Sequence, residues 1–241
     1  MSCAGGPDLI TNGLVLEVSA NSKISIPSSS GNPFPIYNIL TKNLYANISS
    51  ALMTYSSDYG GSLNSIVSGG GFLFAAGGWT NLGLTNNFTI NILADILSIT
   101  GLYTNAFMLC ENYLTRGFRS GFDANPLTSS FYFWATESGG TLDLLIPNTV
   151  FRIPERLFLT ISFDSTSGVG KVYKNGILAG QSPSGKTLIA PSSADYITFN
   201  STLNGTSTNI KFLYKSIYNR ALTDLEVLQN YNNLKGRLLL T

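Results

Sequence analysis

Hydrophobic and polar residues alternate along much of this chain. In Asn87–Ile96, NFTINILADI, Phe88, Ile90, Ile92, Ala94 and Ile96 fall on one side and Thr89, Asn91 and Asp95 on the other. A period of two over that length predicts a half-buried strand. Arg156–Asp164, RLFLTISFD, repeats the pattern with Leu157, Leu159, Ile161 and Phe163 inward, and Gly13–Ala20 sets Leu14, Leu16 and Val18 against Val15, Glu17 and Ser19. Further strands are expected at 71–76, 195–200 and 209–218. In Lys171–Gly180, KVYKNGILAG, Asn175-Gly176 supplies the two positive-φ residues of a type I′ hairpin turn. Ser28–Pro35 has the Ser, Gly and Pro content of a long loop. Many short strands with Gly-rich turns predict an all-β protein, an antiparallel two-sheet sandwich or jelly roll.

One segment breaks this rhythm. Ile217–Arg237, IYNRALTDLEVLQNYNNLKGR, has the features of a capped helix. Thr223 stands three residues before Glu226, the capping-box spacing in which side chain and backbone amide satisfy each other reciprocally. Asp224 suits the positive end of the helix dipole and Lys235 the negative end, and Gly236 suits a left-handed C-cap. Leu225, Leu228, Tyr231 and Leu234 are expected to form its apolar stripe. Such a helix must lie on an apolar surface, expected at an open end or edge of the sandwich. The organisation expected is an N-terminal arm, 1–12, followed by one domain, 13–241.

Composition narrows the chemistry. Hydrophobic residues, at 44 %, suffice for a large core. Charged residues are only 11 %, against roughly 25 % in an average domain, so the surface is mostly Ser, Thr, Asn and Gly. With a net charge of +1 and no basic run, nucleic-acid binding is not expected. There is no histidine, which excludes Ser-His-Asp and Cys-His mechanisms. Cys3 and Cys110 read as free thiols, one on the arm and one buried in a strand. No signal-peptide pattern and no apolar run of ~20 residues is found, so cytosolic synthesis without membrane insertion is expected. The sequons at Asn47, Asn87, Asn200 and Asn204 then read as chance occurrences.

Four stretches occur in an order that resembles laminin G-like domains of the concanavalin A-like lectin/glucanase superfamily: GLVLEVSAN, GGFLFAAGGWTNLG with NNFTINI, RLFLTISFD with GKVYKNGIL, and IYNRALTDLEVLQNYNNLKGR. The resemblance runs from about Asp8 to Arg237. It implies a two-sheet antiparallel jelly roll in which the YNRALT segment introduces a closing helix. It also implies a kinship with virion proteins of tailed phages.

Glucanases of that superfamily carry two or three carboxylates alternating on one strand, which set an acid and a base across the scissile bond. Here Glu111, Glu137, Glu155, Glu226, Asp95 and Asp143 are each isolated, so no catalytic residue is expected. Asp123 and Asn125 are the nearest approach to a calcium loop, but Pro126-Leu127 follows and an Asx turn is the simpler reading, so neither metal nor cofactor is expected. Trp79 is expected in the core or at a sheet edge. In Ser129–Gly140, SSFYFWATESGG, Phe131 and Phe133 share one face and Tyr132 and Trp134 the other; Tyr113 and Arg119 oppose Phe118 and Phe122 in the same way. With the phenylalanines inward, Tyr113, Arg119, Tyr132 and Trp134 would line an outer surface suited to a partner protein or a glycan, or be covered by a loop such as Ser28–Asn38. The function expected is that of a non-enzymatic virion structural subunit, a capsid decoration or tail-associated protein on the particle surface. It would contact other virion proteins or copies of itself. The alternative is a lectin-like carbohydrate-binding module.

Overall fold

The computed structural model describes residues 8–27, 34–48, 53–65, 72–73, 78–100, 104–110, 117–123, 130–137, 140–147, 150–189, 197–199 and 207–235. In chain order the strands are β1 (Leu14–Ser19), β2 (Phe34–Tyr37), β3 (Leu44–Ile48), β4 (Met53–Ser56), β5 (Ser62–Ser65) and β6 (Phe72–Leu73). A short helix α1 (Gly78–Asn81) precedes β7 (Phe88–Thr100), β8 (Thr104–Cys110), β9 (Phe118–Asp123), β10 (Ser130–Glu137) and β11 (Gly140–Pro147). Then come β12 (Glu155–Asp164), β13 (Val169–Lys174), β14 (Ile177–Gln181), β15 (Ile197–Phe199), β16 (Ser207–Tyr218) and the helix α2 (Asp224–Lys235).

An eight-stranded antiparallel sheet runs β14-β13-β12-β7-β16-β5-β4, with β1 also paired to β16. A six-stranded sheet runs β11-β10-β9-β8-β15-β6, and β2 and β3 form a separate ribbon. The inner faces meet in one core. Phe88, Ile90, Ile92, Ala94 and Ile96 of β7 and Leu157, Leu159, Ile161 and Phe163 of β12 enter it from the large sheet, as their alternation requires. Phe118, Phe122, Phe131 and Phe133 enter it from the small sheet. Trp79, 1 % exposed, lies edge-on to Phe88 and Phe118 at ring-centroid distances of 5.1 and 5.5 Å, so α1 closes the core with an indole. In β1 the alternation breaks: a register shift between Leu14 and Leu16 sends Val15 to the core and Leu14 to the opposite side. Asn175 (φ 52°) and Gly176 (φ 79°) form the β13–β14 turn, and both positive φ values match the type I′ expectation.

The helix corrects two expectations. It lies across the outer face of the large sheet, not at an end or edge of the sandwich. There Leu93, Phe158, Leu213 and Tyr214 pack against Leu234 and Tyr231, while Tyr173, Tyr218 and Leu222 pack against Val227. The buried side is Val227, Asn230, Asn233 and Leu234, whereas Leu225 is 78 % exposed and Leu228 38 %. The physical reason is the surface beneath. Tyrosine hydroxyls there need partners, so a buried asparagine fits where a leucine would not. The Asn230 side-chain amide donates to the Tyr218 hydroxyl (3.0 Å), its Oδ1 accepts from the Ile10 amide (2.9 Å), and the Tyr218 hydroxyl donates to the Ile10 carbonyl (2.8 Å). Gln229 adds a bond to the Asp8 carbonyl. Residues 8–12 are thereby tied to the helix. Burial pushes the Tyr218 hydroxyl up to about 12, so this network stays protonated at neutral pH.

The capping box forms as its spacing predicts. The Thr223 amide donates to Glu226 Oε2 (2.9 Å), and the Glu226 amide donates to Thr223 Oγ1 (3.3 Å). Arg220 adds two parallel bonds to the same carboxylate, at 2.9 and 2.7 Å. Gly236 lies outside the described residues. Hydrogen bonding from Arg220 holds the Glu226 carboxyl down at about 2. A depressed carboxylate stabilises the fold above its unfolded-state value near 4.3 and loses that contribution as pH falls toward the folded value. Thermal unfolding should therefore show a stability loss between about pH 4.3 and 2 that is smaller in Glu226→Gln than in the wild type.

Candidate functional site

Of the aromatic surface expected from sequence, Arg119 and the Tyr132 ring are described. Phe118, Phe122, Phe131 and Phe133 do face the core, so Arg119 and Tyr132 take the other side, and Trp134 pairs with Arg119 in the β9–β10 register. Tyr132, however, is 4 % exposed, and the Arg119 guanidinium lies over its ring, 5.4 Å from the centroid. That ring is not open to a ligand. Tyr113 and the Trp134 side chain lie outside the described residues, as do Cys3 and Asn125, while Asp123 is the last residue of β9 and pairs with Ser130 of β10.

Several acidic residues that look isolated in sequence are consumed by the framework. Asp95 receives two bonds from Arg156, its register partner across β7 and β12. Glu155 pairs with Lys174 at 2.6 Å, and Glu226 serves the helix cap.

A more open site lies on the outer face of the large sheet, where its edge strands meet the N-terminus of α2. A cleft of about 800 Å³ is lined there by Asn87, Asp164, Lys171, Gln181, Arg220 and Leu225, among others. Five segments converge, Gln181 being contributed by β14. Asn87 precedes β7, and its Oδ1 accepts from the Ser165 amide (2.7 Å) and hydroxyl (3.0 Å). Asp164 ends β12 and accepts from the Thr166 amide (3.0 Å) and the Ser167 hydroxyl (2.7 Å), which shape the β12–β13 turn. Lys171 stands on β13 and donates to Asp224 at 2.8 Å, and the buried Tyr173 hydroxyl donates to the same oxygen at 2.7 Å. Arg220 sits in the β16–α2 connection. Its Nε donates to the Asn12 carbonyl (2.9 Å) and its two terminal nitrogens to Glu226, while its own carbonyl accepts from Thr89 Oγ1 (2.9 Å). Leu222, whose amide donates to the same Thr89 hydroxyl, forms a buried part of the wall.

The carboxyls of this cleft are held ionised. Asp164 is lowered chiefly by the Ser167 hydroxyl, and Asp224 by Lys171 and then Tyr173. Tyr173 is raised by burial and then by Asp224, so it remains a donor. The result is a prearranged polar surface of fixed donors and acceptors. The sequence carries no motif for it, because its residues are spread from position 87 to 225 and only the packing of α2 on the sheet gathers them. The one local signal is the capping box, which fixes Thr223 and Asp224 at the cleft mouth.

No protein-family model matches this chain, and no curated protein matches it in sequence. Solved structures do match in shape. The binding domain of Paraclostridial Mosquitocidal Protein 1 superposes with a TM-score of 0.62 at 13 % identity, over 92 % of this chain and 52 % of that one. Domain 4 of AbnA, a GH43 extracellular arabinanase from Geobacillus stearothermophilus, in complex with arabinotriose, gives 0.61 at 16 %, over 90 % and 98 %. The Trypanosoma rangeli sialidase gives 0.64 at 14 %, over 98 % and 36 %. This chain thus spans about half of the first, nearly all of the second and about a third of the last. At such identities what they establish is the fold, and with the two antiparallel sheets and the C-terminal helix α2 it is a concanavalin A-like β-sandwich.

Proposed function

We propose that this domain is a carbohydrate-binding module without catalytic activity, and that its ligand seats in the cleft between β12–β14 and the N-terminus of α2. The observation that carries this reading is the cleft itself, an open concavity in whose wall Asn87, Asp164, Lys171, Arg220 and Asp224 are already held in hydrogen bonds, which costs little ordering on binding. The likeness to a domain of similar extent in complex with arabinotriose supports the ligand class. The reading as a non-enzyme is supported by the carboxylates at and beside the cleft, each of which is taken up in the framework: Asp164 by Ser167, Asp224 by Lys171 and Tyr173, and Glu226 by Arg220 and the helix cap.

The test is a glycan array followed by titration of the hits against wild type and the double variant Lys171→Ala/Gln181→Ala. Both residues are partly exposed, so the fold should persist while affinity falls at least about tenfold. Unchanged affinity would remove the cleft from the reading, and no binding across the array would remove the reading itself. A virion subunit is the second reading, favoured by the charge-poor composition, with 11 % charged residues. Mass spectrometry of purified particles tests it: a stoichiometric copy number supports it, and absence from particles ends it.

A further inference from the structure

The charges of the cleft are balanced within the protein. Its wall carries two cations, Lys171 and Arg220, and two carboxylates, Asp164 and Asp224. Lys171 is paired to Asp224 at 2.8 Å, and Arg220 is held by a third carboxylate, Glu226, through two bonds. Asp164 is satisfied by a hydroxyl and an amide. An anionic ligand would have to share Lys171 with Asp224, or Arg220 with Glu226, or displace that carboxylate. In either case it would leave a like charge beside its own. Displacing Glu226 would also open the helix cap.

An uncharged polyol faces no such conflict. Its hydroxyls can donate to the remaining lone pairs of Asp164 and Asp224. They can accept from the second and third ammonium hydrogens of Lys171 and from the side-chain amide of Gln181. Asn87 Nδ2 makes no hydrogen bond among the described residues and is a further donor, because the Asn87 contacts to Ser165 use only its Oδ1. The cleft also has an apolar element that the framework does not use. Leu225 lines it and is 78 % exposed, on the first turn of a helix whose packing side points elsewhere. A pyranose or furanose ring presents a C–H face to such a side chain and its hydroxyls to the polar wall.

We infer that the cleft takes an uncharged pentose or hexose chain, with Leu225 under the sugar face, and discriminates against sialylated and uronic-acid-bearing glycans. The inference rests on the carbohydrate-binding reading above and specifies its ligand class.

The experiment is calorimetric titration of the full chain with arabinotriose, maltotriose and a sialylated trisaccharide, at low and at physiological salt. It includes the variants Leu225→Ala and Lys171→Ala/Gln181→Ala. Leu225→Ala replaces an exposed helix residue with a better helix former, so it keeps the fold. The result expected is binding of at least one neutral trisaccharide with an affinity that changes less than about twofold with salt. Leu225→Ala should weaken it at least about fivefold, and the sialylated sugar should bind at least about fivefold more weakly than the best neutral one. Equal or tighter binding of the sialylated sugar would overturn the inference and leave the carbohydrate-binding reading standing. Neutral binding unaffected by both variants would overturn the assignment to this cleft. Failure of all three sugars, with no hit on the array, would overturn the reading and the inference together.

Discussion

Replacing Trp79 by alanine should destabilise the protein by about 3–5 kcal/mol, the largest effect expected of any single substitution described. The indole is 1 % exposed and touches rings from both sheets, Phe88 of β7 and Phe118 of β9, which themselves stack at 4.8 Å. Its removal leaves a cavity between sheets that cannot close without moving either one. The Trp79 indole N–H has no hydrogen-bond partner among the described residues, so Trp79→Phe sacrifices no bond and should cost well under half as much. Urea unfolding followed by far-UV circular dichroism measures both variants. Equal costs for the two would show that the site does not depend on ring packing.

Asn230→Leu should cost about 2–4 kcal/mol although it introduces a larger apolar side chain at a buried position. The asparagine is fully buried and bonds the Ile10 amide and the Tyr218 hydroxyl at once. Leucine would leave the amide without its acceptor and would crowd a surface shaped for a polar group. The signature is local: hydrogen exchange at the Ile10 amide should accelerate more than at amides of β7 and β12. The exposed control, Leu228→Ala, should stay within about 0.5 kcal/mol of wild type. A neutral or stabilising Asn230→Leu would mean that the tie between residues 8–12 and α2 contributes nothing.

These two sites also mark where the sequence is legible and where it is not. The sandwich can be read from the alternation in β7 and β12, where a period of two is enough to sort residues between core and outer face. Asn175-Gly176 and Thr223…Glu226 can be read because each is a local rule, met by the backbone within four residues. The orientation of α2 cannot be read this way. Its leucines at 225 and 228 look like an apolar stripe, but the surface that receives the helix offers tyrosine hydroxyls as well as Leu93 and Phe158, and it selects Val227, Asn230 and Leu234. Periodicity locates a face only when the partner surface is uniformly apolar. Tyr132 fails for a related reason: alternation assigns it to the outer face correctly, but says nothing of the arginine that lies on its ring. The cleft is illegible because it is tertiary throughout, with residues from five segments brought together by strand order and helix docking.

The carbohydrate-binding proposal places a sugar in the cleft beside the N-terminus of α2. Chemical-shift mapping of the isotope-labelled chain with arabinotriose tests it most directly. Perturbations that saturate together at Asn87, Asp164, Lys171, Gln181 and Leu225 are the expected result. Perturbations centred instead on Arg119, Tyr132 and Trp134, or none with any glycan that the array identifies, would contradict it.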